Sequence, residues 1–126
     1  MNIKIKKLGE LNLLLVEGRV EDTGLKEIAD SLQELPSSEE KFILLDCADI
    51  RKLVFSSIGF SGFINHLLHL RSMRATVTLV GCDTMVQRLL KVLKVENLFL
   101  YASTMDEAYL SLQKGVKSSL ASNPLA

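Results

Sequence analysis

Phe42-Ile43-Leu44-Leu45 is the stretch that most constrains this chain. Four consecutive apolar residues show no polar alternation, so a strand built from them leaves neither face to water. Such a strand belongs inside a sheet with a layer on each side. Asp46 stands at its C-terminal end, followed by a mixed loop, Asp49 to Val54, and then by two serines. Phe60, Phe63, Ile64 and Leu67 recur at helical spacing after them, with Leu68 and Leu70 beside the stripe. Ser56 or Ser57 suits the N-cap of that helix, because a serine hydroxyl accepts from free N–H groups of the first turn. Lys41 to Leu70 thus reads as strand, loop and helix, and the rest of the chain reads as its framework.

That framework alternates. Ile3 and Ile5 alternate with Lys4 and Lys6, the period of a half-buried strand guarded by lysines at a sheet edge. Gly9-Glu10 marks a turn, and Leu11 to Val16 supplies a second strand, more fully covered than the first. Asp22 or Thr23 caps a helix whose stripe is Leu25, Ile28, Ala29, Leu32 and Leu35, ended by Pro36 and a polar SSEE run. Thr76 to Val80 is a β-branched strand stopped by Gly81. Asp83 or Thr84 caps the next helix, with Val86, Leu89, Leu90 and Leu93 inward and Arg88, Lys91 and Lys94 outward. Leu98-Phe99-Leu100-Tyr101 is the last strand. Thr104 and Glu107 are spaced as a capping box, and Met105, Ala108, Tyr109 and Leu112 form the final stripe. Gly115 is read as the stop, and SSLASNPLA as a loose tail.

The order β-β-α-β-α-β-α-β-α implies an α/β fold: a mixed, mostly parallel sheet with an antiparallel N-terminal edge strand and about four helices. A chain of 126 residues, nearly half hydrophobic, suits one domain, read as residues 1–115 with a flexible tail at 116–126. Formal net charge is zero, which argues against a general nucleic-acid binder. No apolar run reaches the roughly 20 residues that span a bilayer, and Met1 to Glu10 lacks the apolar block of a secretory signal. The protein is therefore expected in the cytoplasm.

Few residues invite chemistry. Cys47 and Cys82 form no CxxC and read as free, small hydrophobic side chains. His66 and His69 share a helix face, but a metal needs three or four convergent ligands and no third is evident. No nucleophile elbow or phosphate-cradling loop is present. Asp46 lacks the acidic pair after Val16 that a receiver-type phosphoacceptor needs. No catalytic residue, metal or cofactor is expected, and the protein is read as a binding module rather than an enzyme. Ser56 and Ser57 remain the unusual feature, with Leu53, Val54, Phe55 and Ile58 crowding apolar groups around them and Gly59 and Gly62 following. A phosphate here would sit at the positive end of a helix, and it would add nearly two negative charges to the loop.

Taken together, EGRVED, FILLDCADI, the SSIG region, TVTLVG and ENLFLYASTMDEA resemble a STAS domain, as in bacterial anti-sigma factor antagonists and sulfate-transporter C-termini. The resemblance runs from about Leu11 to Leu112. It implies a STAS-like fold and a partner that is both anti-sigma factor and serine kinase. It implies Ser57 as phosphoacceptor, with Ser56 as fallback. It also implies a partner surface of Asp22, Thr23, Phe55, Ser56, Ser57, Ile58, Gly59 and Ser61. Phe55 stands where the family has aspartate, and Ile58 where it has glycine. An alternative within the family is a non-phosphorylated structural subunit of a lipid-transport ABC complex or a stress-signalling scaffold.

Overall fold

A computed structural model of the chain describes residues 2–8, 11–17, 22–36, 39–47 and 59–120. The elements are β1 (Asn2–Leu8), β2 (Leu11–Glu17), α1 (Asp22–Gln33), β3 (Lys41–Asp46), α2 (Gly59–Ser72), β4 (Ala75–Val80), α3 (Thr84–Val92), a 3-10 turn (Glu96–Leu98), β5 (Leu100–Ala102) and α4 (Met105–Leu120). They form a five-stranded sheet in the order β1-β2-β3-β4-β5. Only β1 and β2 are antiparallel; every later pair is parallel.

Sequential order has a consequence for layering. Right-handed crossovers that always step to the next strand in the same direction put every connecting helix on one face. The core shows that asymmetry. Leu14, Val16, Ile43, Leu45, Val77 and Leu79 pack with the buried stripes of α1, α2 and α3. Leu13, Leu44 and Val80 turn to the opposite face and meet Ala108, Met105, Tyr109 and Leu112 of α4. The apolar run in β3 is therefore shared: Ile43 and Leu45 go to the three-helix layer, Leu44 to α4. Both faces of β3 are covered, as the absence of alternation requires. Phe63 is fully buried in the three-helix layer and tilts against Phe60, with ring centroids 6.0 Å apart.

Polar groups fix the opposite, N-terminal end of β2 and β3. Asn12 is buried and its amide donates to Glu39 Oε2, while Lys7 Nζ lies 3.3 Å from Glu39 Oε1. Lys41 is also buried, and its Nζ donates to the Glu39 carbonyl oxygen over 3.1 Å. The Asn12 donor, with Lys7 adding charge, holds the Glu39 carboxyl below its ordinary pKa.

Four local readings differ from the structure. Ile5 is exposed, because β1 lies at the sheet edge, whereas Ile3 reaches the core. Leu93 is also exposed, since α3 ends at Val92 and Leu93 is its C-cap. The last strand begins at Leu100 rather than Leu98: Leu98 N–H donates to Val95 O at 3.0 Å, closing the 3-10 turn. Phe99, buried in the three-helix layer, then carries the chain into β5. Gly115 does not end α4, whose backbone continues to Leu120. A mid-helix glycine costs only about 1 kcal/mol relative to alanine, which is too little to stop a helix by itself.

Two outcomes follow from this packing. Phe63→Ala is expected to destabilise the fold by about 3–5 kcal/mol, read as a lower urea midpoint with unchanged slope. Glu39 has a lowered folded pKa, so its contribution is present above the ordinary carboxylate value and is lost as pH falls through the folded one. Glu39→Gln should lower the urea midpoint at neutral pH and shrink the further loss seen on acidification.

Candidate functional site

In a parallel α/β sheet, the C-terminal strand ends and the helix starts that follow them share one edge. Here β3 ends at Asp46 and Cys47, β4 at Val80 and Gly81, and β5 at Ala102 and Ser103. Two backbone bonds carry the ladders one step past the strands: Cys47 N–H donates to Val80 O at 2.8 Å, and Gly81 N–H to Ala102 O at 2.9 Å. Gly81 has φ +74°, which explains a glycine at this turn. The next helix is then capped at once. Asp83 Oδ1 accepts from Val86 N–H at 2.9 Å, and Thr104 Oγ1 accepts from Glu107 N–H at 3.1 Å at the start of α4.

The expected partner surface approaches this same edge. α2 is 14 residues long, so it spans about 21 Å, close to the length of the strands it crosses. It ends just before β4 begins, so Gly59 lies at the other end, beside the C-terminal strand edge. Gly59 opens the helix at φ +65°, and among the described residues beyond its own turn no atom lies within 4 Å of where a Cβ would sit. Ser61 is exposed one turn in. Asp22 and Thr23 open α1, the helix that follows the antiparallel pair. Phe55, Ser56, Ser57 and Ile58 lie outside the described residues, as does the expected serine cap of α2. Asp46 is half-buried where β3 ends. His66 is half-buried and His69 exposed on α2.

Two features of this edge escape a reading of the chain in order. The first is a cleft of about 610 Å³ between the ends of β4 and β5, α3, the 3-10 turn and the start of α4. Cys82, Gln87, Lys91, Glu96, Tyr101 and Glu107 are among its polar lining residues. Tyr101 OH donates to the Glu96 carbonyl oxygen over 2.7 Å, bracing the 3-10 turn against β5. Burial, with Cys82 and Glu96 nearby, raises the Tyr101 phenol pKa, so the hydroxyl remains a donor.

The second is a pair of thiols. Cys47 and Cys82 are 35 positions apart in the chain, yet their thiols lie close enough for each to shift the other's pKa, while the Cys47 thiol donates to the Leu45 carbonyl oxygen at 3.5 Å. Cys47 is buried in the three-helix layer, and Cys82 is half-buried against the same layer. The neighbouring Cys47 thiol favours a thiolate on Cys82 and lowers its pKa, against opposing effects of burial and Asp83. Proximity to Cys82, with burial, pushes Cys47 well up. Both cysteines are free, as read from the sequence, but Cys82 is half-buried rather than buried. The sequence signal was that each follows the end of an apolar strand, but it becomes a pairing only once those strands are neighbours.

No protein-family model matches the chain, and no curated protein is significantly similar to it. Solved structures do share its fold. The solution structure of the protein TM1081 aligns with a TM-score of 0.55 at 18% identity, covering 86% of each chain. An anti-sigma-factor antagonist (STAS) domain protein from Planctomyces limnophilus aligns with a TM-score of 0.55 at 17% identity, covering 88% of this chain and 97% of that one. The chain thus has a STAS-like fold, with the mixed five-stranded sheet and four helices expected from its sequence. Among the described residues, no helix is long and apolar enough to cross a membrane.

Removing the Asp83 cap by Asp83→Ala should cost about 1 kcal/mol, measured by urea unfolding, whereas Asp83→Asn should keep most of that stability. Because the Asp83 charge raises the Cys82 pKa, Asp83→Asn should also speed iodoacetamide alkylation of Cys82 at a fixed pH below that pKa.

Proposed function

We propose that this STAS fold serves as a non-catalytic regulatory binding module of the anti-sigma factor antagonist kind, acting in the cytoplasm. Its partner is an anti-sigma factor of the serine-kinase type. The observation that carries this reading is the structural likeness to the Planctomyces limnophilus antagonist-domain protein over nearly the full length of both chains. The resemblance of FILLDCADI and the SSIG region to the same family supports it from the sequence.

The proposed contact surface comprises Asp22 and Thr23 with Phe55, Ser56, Ser57, Ile58, Gly59 and Ser61. Two properties of the described residues support this choice. Gly59 begins α2 at the strand edge where α/β folds present ligand-facing groups, and the space where its Cβ would sit is open. Ser61 is exposed in the first turn. Phe55 is the proposed anchor, since aromatic side chains dominate the energetics of protein interfaces. Ser57 is the proposed phosphoacceptor, with Ser56 as fallback. Nearly two added negative charges would then oppose docking of an apolar partner surface.

A second reading is favoured by one specific observation. Phe55 and Ile58 replace the aspartate and glycine usual beside the acceptor serine. That substitution pattern suits constitutive, apolar recognition, as in a structural subunit of a lipid-transport ABC complex or a stress-signalling scaffold.

Incubation with the kinase-type anti-sigma factor and ATP separates the two. The expected result is binding to the unmodified chain, one phosphoryl group on Ser57 by peptide mass spectrometry, and its loss in Ser57→Ala. Phe55→Ala should weaken binding roughly thirtyfold, about 2 kcal/mol. Binding that persists with no modified serine would remove the switch and support the constitutive reading. No binding to this partner class, with the fold intact by circular dichroism, would overturn the antagonist assignment.

A further inference from the structure

We propose that Cys47 and Cys82 form an oxidisable dithiol, in which a hydroperoxide first attacks Cys82 and Cys47 then closes a disulfide across the ends of β3 and β4. This inference is independent of the proposed partner, because it concerns a covalent modification of the strand edge itself.

Three geometric observations carry it. The strands are hydrogen-bonded neighbours, and Asp46 is in register with Val80. Cys47 N–H continues that ladder by donating to Val80 O, so Cys82 lies one position beyond the residue level with Cys47. Strands about 4.8 Å apart set Gly81 beside Cys47, and the turn at Gly81, with φ +74°, brings the next residue, Cys82, round to the face that Cys47 occupies. The side chains also leave the sheet on the same side, since Cys47 is part of the three-helix core and Cys82 packs against it. The two thiols are near enough that each shifts the other's pKa.

The two thiols are suited to different tasks. Cys82 lines the open cleft, which gives a small oxidant access, while Cys47 is 1% exposed and has none. Cys82 lies just ahead of the first turn of α3, where the helix N-terminus favours negative charge, although the Asp83 carboxylate opposes it. Its lowered pKa makes it the better nucleophile of the pair. Cys47, whose pKa is pushed up chiefly by its thiol neighbour, must give up its proton to attack in the second step.

The chemistry balances with a hydroperoxide as the two-electron oxidant. The Cys82 thiolate attacks one peroxide oxygen and the O–O bond breaks. The product is a sulfenic acid on Cys82 and, for hydrogen peroxide, hydroxide that takes up a proton to become water. Cys47 then attacks the Cys82 sulfur, loses its thiol proton, and displaces the sulfenic hydroxyl as a second water. Two thiols are oxidised to one disulfide while one hydrogen peroxide is reduced to two waters.

The experiment uses the full chain, reduced and then treated with hydrogen peroxide in the presence of a metal chelator. The expected product is a monomer lighter by two hydrogens, giving a Cys47–Cys82 cross-linked peptide after non-reducing digestion and an upward shift in Tm that dithiothreitol reverses. Cys47→Ser should let dimedone trap the sulfenic acid on Cys82, and Cys82→Ser should suppress dimedone labelling of Cys47. The wild-type peptide map keeps the test decisive even where a serine variant folds poorly. Full alkylation of both cysteines after peroxide treatment would overturn the proposal. So would intermolecular disulfides alone, or Cys82 oxidised to sulfinic acid with Cys47 untouched.

Discussion

β3 is held between two layers that its neighbouring elements supply. Its Ile43 and Leu45 face α1, α2 and α3, while Leu44 meets the stripe of α4. A strand with two apolar faces is stable in water only if both are covered. The connecting helices all fall on one face when strand order follows chain order. The second face therefore waits for α4, the last element. Closure of the core thus depends on contact between β3 and the C-terminal helix. That explains why Met105, Ala108, Tyr109 and Leu112 carry a stripe as regular as those of the connecting helices. Lys6 adds to this closure from the edge, with its ammonium 5.8 Å from the centre of the Tyr109 ring.

The local grammar of this fold is legible in the sequence because its causes are local. Asp83 and Thr104 read as caps because a short acceptor side chain before an apolar stripe has one good use, and both are bonded as expected. The stripe of α1 and the two-faced run of β3 are readable for the same reason, since period and burial are linked residue by residue. Leu98 and Phe99 resist this reading. Their apolar run resembles a strand start, but the turn closed by Leu98 on Val95, and braced by Tyr101 on Glu96, precedes the strand. Nothing in the composition of ENLFLY separates a buried turn residue from a strand residue. Ile5 misleads in another way, because alternation marks a face without stating whether a helix reaches it.

The functional edge is less legible, because it is made of residues far apart in the chain. Gly81 reads as a strand stop, yet its N–H reaches Ala102 at the end of β5. Cys82 reads as a free, small hydrophobic side chain, yet it lines the cleft and lies beside the Cys47 thiol. Both facts need the strand order, which hydropathy patterns leave open. The serine pair is a partial case. Its position after a buried strand is readable, and Gly59 places the following helix start at the strand edge. What binds there depends on chemistry that the resemblance suggests and that a partner must demonstrate.

One edge therefore serves two kinds of constraint. The ladder bonds from Cys47 to Val80 and from Gly81 to Ala102 hold three strand ends level, which is a structural demand. The same levelling brings two thiols together and opens a cleft beside them. Residue 47 also leads directly into the stretch 48–58, which ends at the start of α2 and carries the serine pair. A covalent link at Cys47 would act on the root of that stretch, whereas a phosphate on Ser57 would act on its far portion. The two modifications would differ in what they change: the first fixes where the chain leaves the sheet, and the second alters the charge it presents.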